Sequence, residues 1–481
     1  MRVLIFLRPT IPALAQVRPD AAHFPIVLVN DTGLSDDEVY FTAYGKATSG
    51  MNCITNTNFS FVDFGKTPSG PFTETGMMAA PPTMTGSTSA YSYKFSDIPL
   101  SSGQRIIYLP YINAGIVLFS VGPLTVNTAL NSIAVPAPTD PTDPAYTTVY
   151  GSMEISFFPS TCMPMLNELT IDFTCVDYYG LSIYMNLYTD MPAPGLPQNR
   201  PSGIYQSRHY TLCSLQNAFR EAFPASRSQW DSLVIKDGSG KILRVGSPGY
   251  AMSHAGGTFD KNYLDNAAAY GYSWRNDVWN GTYYASGQHD LTLVTADMTS
   301  FTGNTSGGNF DFVAGMEVAR IPWVDMSTPS TFTAIFNVAQ FFPGMQYSTD
   351  GGTTFVPASM LGSPQKERAE NITKQLSSVI TGGLIPGKVS SLPANGFFQD
   401  VIHAYYMKNL NLTSIDSSTG SWFDLYGRGV FSDAVTTGNI LYGYPCDDYF
   451  YFLASFDVAS RQDVGDDSTY GIVILGPYSD E

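Results

Sequence analysis

Three acidic residues stand in segments whose composition is otherwise typical of buried strands. Glu154 lies in MEISFF, while Asp172 and Asp177 lie in IDFTCVDYYGLSIYMNL, which is mostly apolar and aromatic. A lone acid in such a strand is most often solvated or structurally paired. Two acids that face one groove can instead cleave a glycosidic bond, because one carboxyl group protonates the leaving oxygen while the other activates water or attacks the sugar.

Strand periodicity limits which of these acids can share a groove. Side chains alternate along a strand, so Ser152, Glu154 and Ser156 fall on one face and the apolar residues between them on the other. Asp172 and Asp177 are five positions apart, which would place them on opposite faces of a regular strand. If the two segments lie in one sheet, Glu154 and one aspartate could face each other.

The composition bounds the fold class and the class of ligand. The chain has 481 residues, of which 44% are hydrophobic, 14% aromatic and 14% charged. Its abundant Tyr, Phe, Thr, Ser, Gly and Pro favour β structure with many turns, and its length favours two or three domains. The net charge is −17 and no Lys/Arg-rich stripe occurs. Nucleic acid is therefore not expected as a partner, whereas a neutral polysaccharide is compatible with the charge.

Neither a metal nor another cofactor is expected. The five cysteines form no CxxC motif and the five histidines form no HExxH motif. Scattered buried thiols are the favoured interpretation of the cysteines, with Cys162–Cys175 the closest potential disulfide. The start, MRVLIFLRPTIPALAQ, resembles a weak secretory signal, so residues 1–22 are expected to be a signal or a disordered N-terminus and the protein to be secreted. No other segment approaches the ~18 apolar residues that span a membrane.

The pattern of predicted strands and helices changes twice along the chain. Short strand-like runs separated by turn residues fill residues 23–189 and return in 386–481. Residues 190–385 mix strand patterns with three helical ones, SLQNAFREAFP, KNYLDNAAAYGYSWRNDVW and ERAENITKQLSSVI. The sequence therefore predicts a mainly β protein, in which a β domain made from both ends of the chain carries the acids and 190–385 form an inserted α/β domain.

Six segments, in order from about residue 24 to 478, resemble one known family. MEISFF and DFTCVDYYGLSIYMNL are similar to the Glu-aromatic-Thr and Val-Asp-aromatic strands of the glycoside hydrolase family 64 β-1,3-glucanases. Family-like elements also occur in GQRIIYLPYINAGIVLFSVGPL, KILRVGSPG, FDKNYLDNAAAYGYSWRNDVW, and YGRGVF followed by YGYPCDDYF.

The resemblance implies a fold, a reaction and residue roles. It implies a thaumatin-like β-sandwich or barrel domain and a mixed α/β domain flanking a wide groove. It also implies endo-acting, inverting hydrolysis of β-1,3-glucan of the laminarin or curdlan type, with release of short laminarioligosaccharides. Glu154 falls on the general acid and Asp177 on the general base. Asp177 would then face the groove, and Asp172 the opposite side.

The sequence departs from the family pattern near these acids. Ser156 stands in place of Thr, which keeps a hydroxyl for a sugar, and Ile155 stands in place of an aromatic residue. The loop from 158 to 168 is longer than usual, which leaves Glu168 and Asp172 open as alternatives to Asp177 for the base. A non-catalytic thaumatin-like glucan-binding protein, and a hydrolase for another glucan linkage, are the alternative functions.

Several other side chains are candidates for binding the glucan. Aromatic rings can stack on sugars, although a place in the core is the commoner one for any single ring. Carboxylates in YPCDDYF can accept hydrogen bonds from sugar hydroxyls, or can belong to a solvated turn. The substrate-binding candidates are Ser156, Tyr178, Tyr179, Tyr444, Asp447 and Asp448, with Trp274 and Trp279 as further rings. The protein is expected to act as a monomer.

Overall fold

The fold over the described part of the chain is mainly β, with one long helix. The computed structural model describes residues 22–48, 55–65, 71–159, 169–175, 177–188, 199–204, 208, 211–213, 215–216, 231–247, 251, 292–295, 297, 299–306, 309–322, 341–342, 344–381, 426, 441–442 and 470–478. Within these residues the strands form five sheets.

Two large sheets, which we call the back sheet and the front sheet, pack face to face. The back sheet has the order β16 (Asn199–Gly203), β15 (Ile183–Tyr188), β26 (Tyr470–Leu475), β1 (His23–Asn30), β8 (Gln104–Pro110) and β7 (Leu100–Ser101). The front sheet has the order β25 (Leu441–Tyr442), β13 (Leu169–Thr174), β12 (Val149–Phe157), β9 (Ile112–Val121), β2 (Val39–Thr48), β3 (Thr55–Asp63) and β4 (Met77–Met78), with β6 (Tyr93–Lys94) paired to β2.

Period-two alternation builds the core between these sheets. In β1, Phe24 and Leu28 are 0% and 3% exposed, and in β12 the odd positions Met153 and Phe157 are both 0% exposed. The rings of Phe24 and Phe157 lie 5.9 Å apart across the interface. Burial of each such side chain contributes about 1.5–3 kcal/mol relative to its exposure, so the alternation itself fixes which face of each strand points inward.

Strands from both ends of the chain meet in these sheets. β26 lies parallel to β1, with Ile26 paired to Gly471, and the short strand β25 lies beside β13. β16, from within the range predicted as an insertion, extends the back sheet beside β15. The limits of the predicted domains stay a prediction.

Two small sheets cover part of the outer surface of the front sheet. One consists of β11 (Ser132–Ile133), β10 (Val126–Ala129) and β5 (Gly86–Thr88), and the other of β14 (Tyr178–Tyr179), β18 (Ile242–Gly246) and β17 (Val234–Lys236). Val126, Ile133 and Tyr178 pack there on Tyr44 and Tyr150 of the front sheet. The segments QRIIYLP, VIK and ILRVG form β8, β17 and β18.

A third, separate set of strands forms a meander with a helix against it. Its strands are β19 (Thr292–Val294), β20 (Ser300–Ser306), β21 (Asn309–Ala314), β22 (Glu317–Pro322), β23 (Gln346–Ser348) and β24 (Val356–Pro357). The helix α1 (Gln365–Thr381) confirms the prediction from ERAENITKQLSSVI. Its buried face carries Ala369, Ile372 and Leu376, each 0% exposed, at the predicted helical spacing. Arg368 donates to Asp297 at 2.7 Å and to Glu317 at 2.6 Å, which ties α1 to the meander.

The remaining predictions about helices and cysteines have mixed outcomes. Short 3-10 turns occur at Phe95–Asp97 and Ala358–Met360. Residues 211–213 and 215–216 have helical backbone, within and next to SLQNAFREAFP, whereas KNYLDNAAAYGYSWRNDVW lies outside the described residues. Cys175 is a buried thiol, so the Cys162–Cys175 disulfide is not formed.

Candidate active site

Glu154 lies in the middle of β12, on the face of the front sheet that points away from the back sheet. Its chain neighbours Met153 and Ile155 are 0% and 2% exposed in the core, whereas Glu154 is exposed. Ser152 and Ser156, two positions away on either side, share the face of Glu154. The alternation predicted from MEISFF is therefore present, and it is what turns the carboxylate outward.

Neighbouring strands place their residues in one row with Glu154. Glu154 is paired with Ile116 of β9 on one side and with Asp172 of β13 on the other, and Tyr44 of β2 is paired with Ile116. Paired positions of antiparallel strands share a face of the sheet. The chain leaves the ladder after Thr174 and does not run on as one strand to Asp177, so the five-residue spacing does not relate the faces of Asp172 and Asp177. The expected orientation of Asp172 away from the groove stays a prediction.

A β-bulge beside Glu154 brings polar groups into the next row. The pairing of β9 shifts against both β12 and β2 at this point, and Ala114 has a φ of 47°. Such a left-handed backbone costs a non-glycine residue about 1–3 kcal/mol and is found often at functional sites. The Ala114 N–H donates to Ser156 Oγ at 3.1 Å, and Ser156 Oγ donates to Asn113 Oδ1 at 3.4 Å. The half-buried Ser156 hydroxyl is thus fixed on the same face as Glu154, and its contact with a sugar stays a prediction.

Asp177 stands in a bend between β13 and β14, and its main chain is held on both sides. The carbonyl of Cys175 accepts a hydrogen bond from the Tyr426 hydroxyl at 2.6 Å. The carbonyl of Asp177 itself accepts one from the N–H of Ser247 at 2.8 Å, next to the pairing of β14 with β18. The Asp177 side chain is exposed.

The packing of Tyr178 shows that this bend lies over the face that carries Glu154. The Tyr178 ring contacts the Tyr150 ring edge to face, with centroids 4.9 Å apart and planes at 68°. Tyr150 lies four positions before Glu154 in the same strand, and therefore on the same face. Asp177 directly precedes Tyr178, so the bend that carries it is seated on this face.

The pKa values of two buried tyrosines, Tyr44 and Tyr150, respond to the charges of the two acids. Burial raises the pKa of Tyr44 well above its ordinary value, and the proximity of Tyr150 and then of Glu154 raises it further. Burial also raises the pKa of Tyr150. The positive charge of Arg244 lowers this pKa, whereas the negative charges of Asp143 and Asp177 raise it further. Since Coulomb interactions weaken with distance, Glu154 and Asp177 both border the Tyr44–Tyr150 cluster.

Two of the predicted substrate contacts are buried instead. Tyr178 is 6% exposed and packs on Tyr150, while Tyr179 is 1% exposed and its hydroxyl contacts the Ser182 hydroxyl in the core. A ring needs an open face to stack on a sugar. The prediction of these two rings as platforms for the glucan is therefore corrected, and the alternative, packing in the core, is the one observed.

The remaining candidates fall outside the part of the chain that the structure describes. They are Tyr444, Asp447, Asp448, Trp274, Trp279 and Glu168. Within the described part, no cluster of three His, Cys, Asp or Glu side chains could hold a metal ion. A search of that same part for helices long and apolar enough to cross a membrane found none.

A buried arginine, which the sequence analysis did not single out, anchors the elements around the bend. Arg244 of β18 is 0% exposed and lies over the Tyr150 ring, 4.5 Å from its centroid. Its guanidinium donates to the carbonyls of Pro138 at 2.9 Å and Tyr146 at 2.7 Å. An arginine between the apolar residues Leu243 and Val245 was the available signal, because buried cations persist only with many hydrogen-bond acceptors.

Replacing Arg244 with Met should destabilise the protein by about 2–5 kcal/mol, because two or more buried carbonyls would lose a charged donor. The change should appear as a lower midpoint in urea unfolding followed by tryptophan fluorescence. Lys236→Met is the matched control, since Lys236 lies in the adjacent β17 but is exposed. An equal midpoint for both variants would contradict the anchoring role.

The fold and the exposed acids together point to a class of protein. Two exposed carboxylates from different elements lie over one face of a β-sandwich, beside the polar groups of Ser156 and Asn113. Paired carboxylates beside hydroxyl and amide groups are what acid–base cleavage of a glycosidic bond requires. The fold and the exposed acids therefore suit the class of glycoside hydrolases.

Comparison with known proteins gives the family. A sequence profile of the glycoside hydrolase family 64 β-1,3-glucanases matches residues 22–419. The chain belongs to this family, as its motifs predicted, and is a glycoside hydrolase.

Solved structures agree with this assignment at the level of the fold. One is a laminaripentaose-producing β-1,3-glucanase in complex with laminaritetraose, 17% identical, with a TM-score of 0.54 over 95% of this chain and 99% of that one. Another is a family 64 β-1,3-glucanase domain from Clostridium beijerinckii, 19% identical, with a TM-score of 0.54 over 96% of this chain and 100% of that one. No curated protein was found to match the chain.

Proposed function

We propose that this protein is an endo-acting β-1,3-glucanase that inverts the anomeric carbon and releases short laminarioligosaccharides. The observation that carries the proposal is the placement of Glu154 and Asp177, both exposed, over one face of the front sheet. Family membership gives the β-1,3-glucan as the substrate. The two acids come from different elements, which suits a separation of about 6.5–9.5 Å that leaves room for a water molecule.

In the proposed reaction, each acid has one task. The Glu154 carboxyl group gives its proton to the glycosidic oxygen as the bond from that oxygen to the anomeric carbon breaks. A water molecule attacks this carbon from the opposite side of the sugar ring, and the Asp177 carboxylate takes the proton that the water loses. Glu154 ends ionised and Asp177 protonated, so a proton exchange with solvent restores the starting state.

The surface around Glu154 suits a polysaccharide chain. The half-buried row next to Glu154 is polar and ends at an aromatic ring, with Asn113, Lys46 and Phe59 following Ser156 across the front sheet. The Lys46 ammonium lies 4.9 Å from the Phe59 ring centroid. We propose that the glucan crosses the strands along this row, in a groove between a thaumatin-like β domain and an α/β domain.

Incubation with laminarin and with curdlan tests the proposal. New reducing ends should form, short oligosaccharides should be released before glucose, and proton NMR should detect the α-anomer first, because inversion of a β-linkage gives an α-product. Cellulose and a mixed-linkage glucan serve as substrate controls. Retention of laminarin on the protein without new reducing ends would contradict hydrolysis and favour a binding protein, and first release of the β-anomer would contradict inversion.

A further inference from the structure

The row of side chains that begins at Ser156 ends on a cation and an aromatic ring. Lys46 of β2 is paired with Asn113 of β9 on one side and with Phe59 of β3 on the other. The Lys46 ammonium lies over the Phe59 ring, 4.9 Å from its centroid, and both residues are half-buried. We call Lys46 and Phe59 the distal pair, because β3 is three strands away from β12, which carries Ser156 and Glu154.

We propose that the distal pair is a subsite that binds a glucosyl unit remote from the bond that is cleaved, and that it makes the enzyme favour long glucan chains over short ones. This inference rests on the proposed function, since it concerns the substrate of that same reaction. Neighbouring strands lie about 4.8 Å apart, so three spacings place Phe59 about 14 Å from Ser156. A disaccharide at the acids is too short to cover this distance, whereas a longer chain that crosses the strands covers it.

The cover on the outer face of the front sheet ends just before Phe59. Phe61, two positions further along the same face of β3, is 3% exposed, and the Tyr91 ring is stacked on it with centroids 4.5 Å apart and planes at 6°. Phe59 only borders this buried cluster and stays half-buried. A half-buried ring at the end of a polar row is suited to pack on the apolar face of a sugar.

The ammonium of Lys46 adds hydrogen-bond donors at the same place. A lysine ammonium has three donors and no acceptor, so it can donate to the hydroxyl oxygens of a sugar. Lys46 belongs to none of the ion pairs among the described residues, whose cations are Lys94, Arg105, Arg320 and Arg368. The distal pair thus combines an apolar surface with polar donors, which are the two kinds of contact that a neutral sugar can make.

The distance of the distal pair from the acids determines which kinetic constant it should change. A contact about 14 Å away should be the same in the bound substrate and in the transition state. Such uniform binding lowers KM and leaves kcat unchanged. Damage to the fold or to the acids would instead lower kcat, so the division of an effect between KM and kcat separates a subsite from a structural role.

The test compares laminarin with a dinitrophenyl laminaribioside, whose sugars end short of the distal pair. Phe59→Leu keeps an apolar side chain against the buried cluster but removes the ring. It should raise KM on laminarin about tenfold and keep kcat within about threefold of wild type. Lys46→Met should raise KM on laminarin about threefold. KM for the bioside should change less than about twofold in both variants, and Phe59→Tyr, which keeps the ring, should keep the wild-type KM on laminarin.

Phe355→Leu and Lys94→Met are the matched controls, and both should keep the wild-type KM on laminarin. Phe355 is a half-buried ring with the Arg320 guanidinium 3.9 Å from its centroid, but it directly precedes β24 of the meander. Lys94 is a half-buried lysine that pairs with Asp37. An unchanged KM on laminarin in folded Phe59→Leu, or an equal rise on both substrates, would overturn the inference while the proposed function held. If wild type formed no reducing ends from laminarin, the proposed function would fail, and the inference with it.

Discussion

Glu154→Gln should lower kcat on laminarin by about three orders of magnitude, because glutamine cannot give a proton to the leaving oxygen. The effect of a lost general acid depends on how much the leaving group needs that proton. A dinitrophenyl laminarioside releases dinitrophenolate, which leaves as a stable anion without protonation, so the variant should cleave this substrate at close to the wild-type rate. The measurement is therefore the ratio of the two rates, for variant and wild type side by side.

The fold is not expected to change in this variant. Glu154 is exposed, and its neighbours Met153 and Ile155 supply the packing of this part of β12. Ser156→Ala is a matched control on the same face, since it removes a hydroxyl beside the acid without removing a proton donor. Near-normal turnover of laminarin by Glu154→Gln, or equal losses on both substrates, would show that Glu154 is not the proton donor.

Local pattern predicted the strand that carries Glu154, because alternation is a property of neighbouring residues alone. Met153, Ile155 and Phe157 are apolar and buried, whereas Glu154 and Ser156 are polar and are exposed and half-buried. The helix at Gln365–Thr381 followed in the same way from apolar residues at helical spacing. In both cases one face of an element must meet a core, and the sequence shows which face that is.

Long-range pairing could not be predicted in this way. The position of Asp172 opposite Glu154 depends on the register of β12 and β13, and residues 158–168, which separate these strands in the sequence, are too many for a two-residue hairpin that would fix the register. The segment from Ile171 to Leu187 reads as one apolar run, yet the structure divides it among β13, β14 and β15 in two different large sheets and one small one. A run that is apolar on all sides gives no sign of where the chain changes sheets.

The buried tyrosines illustrate a second limit of sequence patterns. Tyr178 and Tyr179 could have been exposed platforms or core residues, since a tyrosine has an apolar ring and a polar tip. What decided their burial is the close approach of two segments, in which a Cβ on Gly180 would lie 2.3 Å from the Tyr150 carbonyl oxygen. Only a glycine permits this approach, which brings β14 against β12 and Tyr178 onto Tyr150.

The same approach gives the bend at Asp177 a rigid support. Tyr178 is fixed on the front sheet by Tyr150, and β14 is paired with β18, whose Arg244 reaches back over the Tyr150 ring. Catalytic groups on loops need such support, since an acid displaced by about 1 Å can lose about a hundredfold in rate. A buried tyrosine pair therefore serves the site here by holding the main chain that carries an acid.

Asp177→Asn should lower kcat by about three orders of magnitude on laminarin and on the dinitrophenyl laminarioside alike. Asparagine cannot accept the proton of the attacking water, and the need for that attack does not depend on the leaving group. One pair of substrates thus distinguishes the two acids. A better leaving group should restore the rate of Glu154→Gln, which lacks the proton donor, but not the rate of Asp177→Asn, which lacks the base.

The fold should survive this change as well, because the contact that fixes the bend uses the main chain. The Asp177 carbonyl, and not its carboxylate, accepts the hydrogen bond from Ser247, and asparagine keeps that carbonyl. Thermal unfolding within about 2 °C of wild type would verify this. Cleavage of the dinitrophenyl laminarioside by Asp177→Asn at close to the wild-type rate would show that another group activates the water. The role of base would then pass to Asp172 or Glu168. Of these two, Asp172 occupies the register position opposite Glu154.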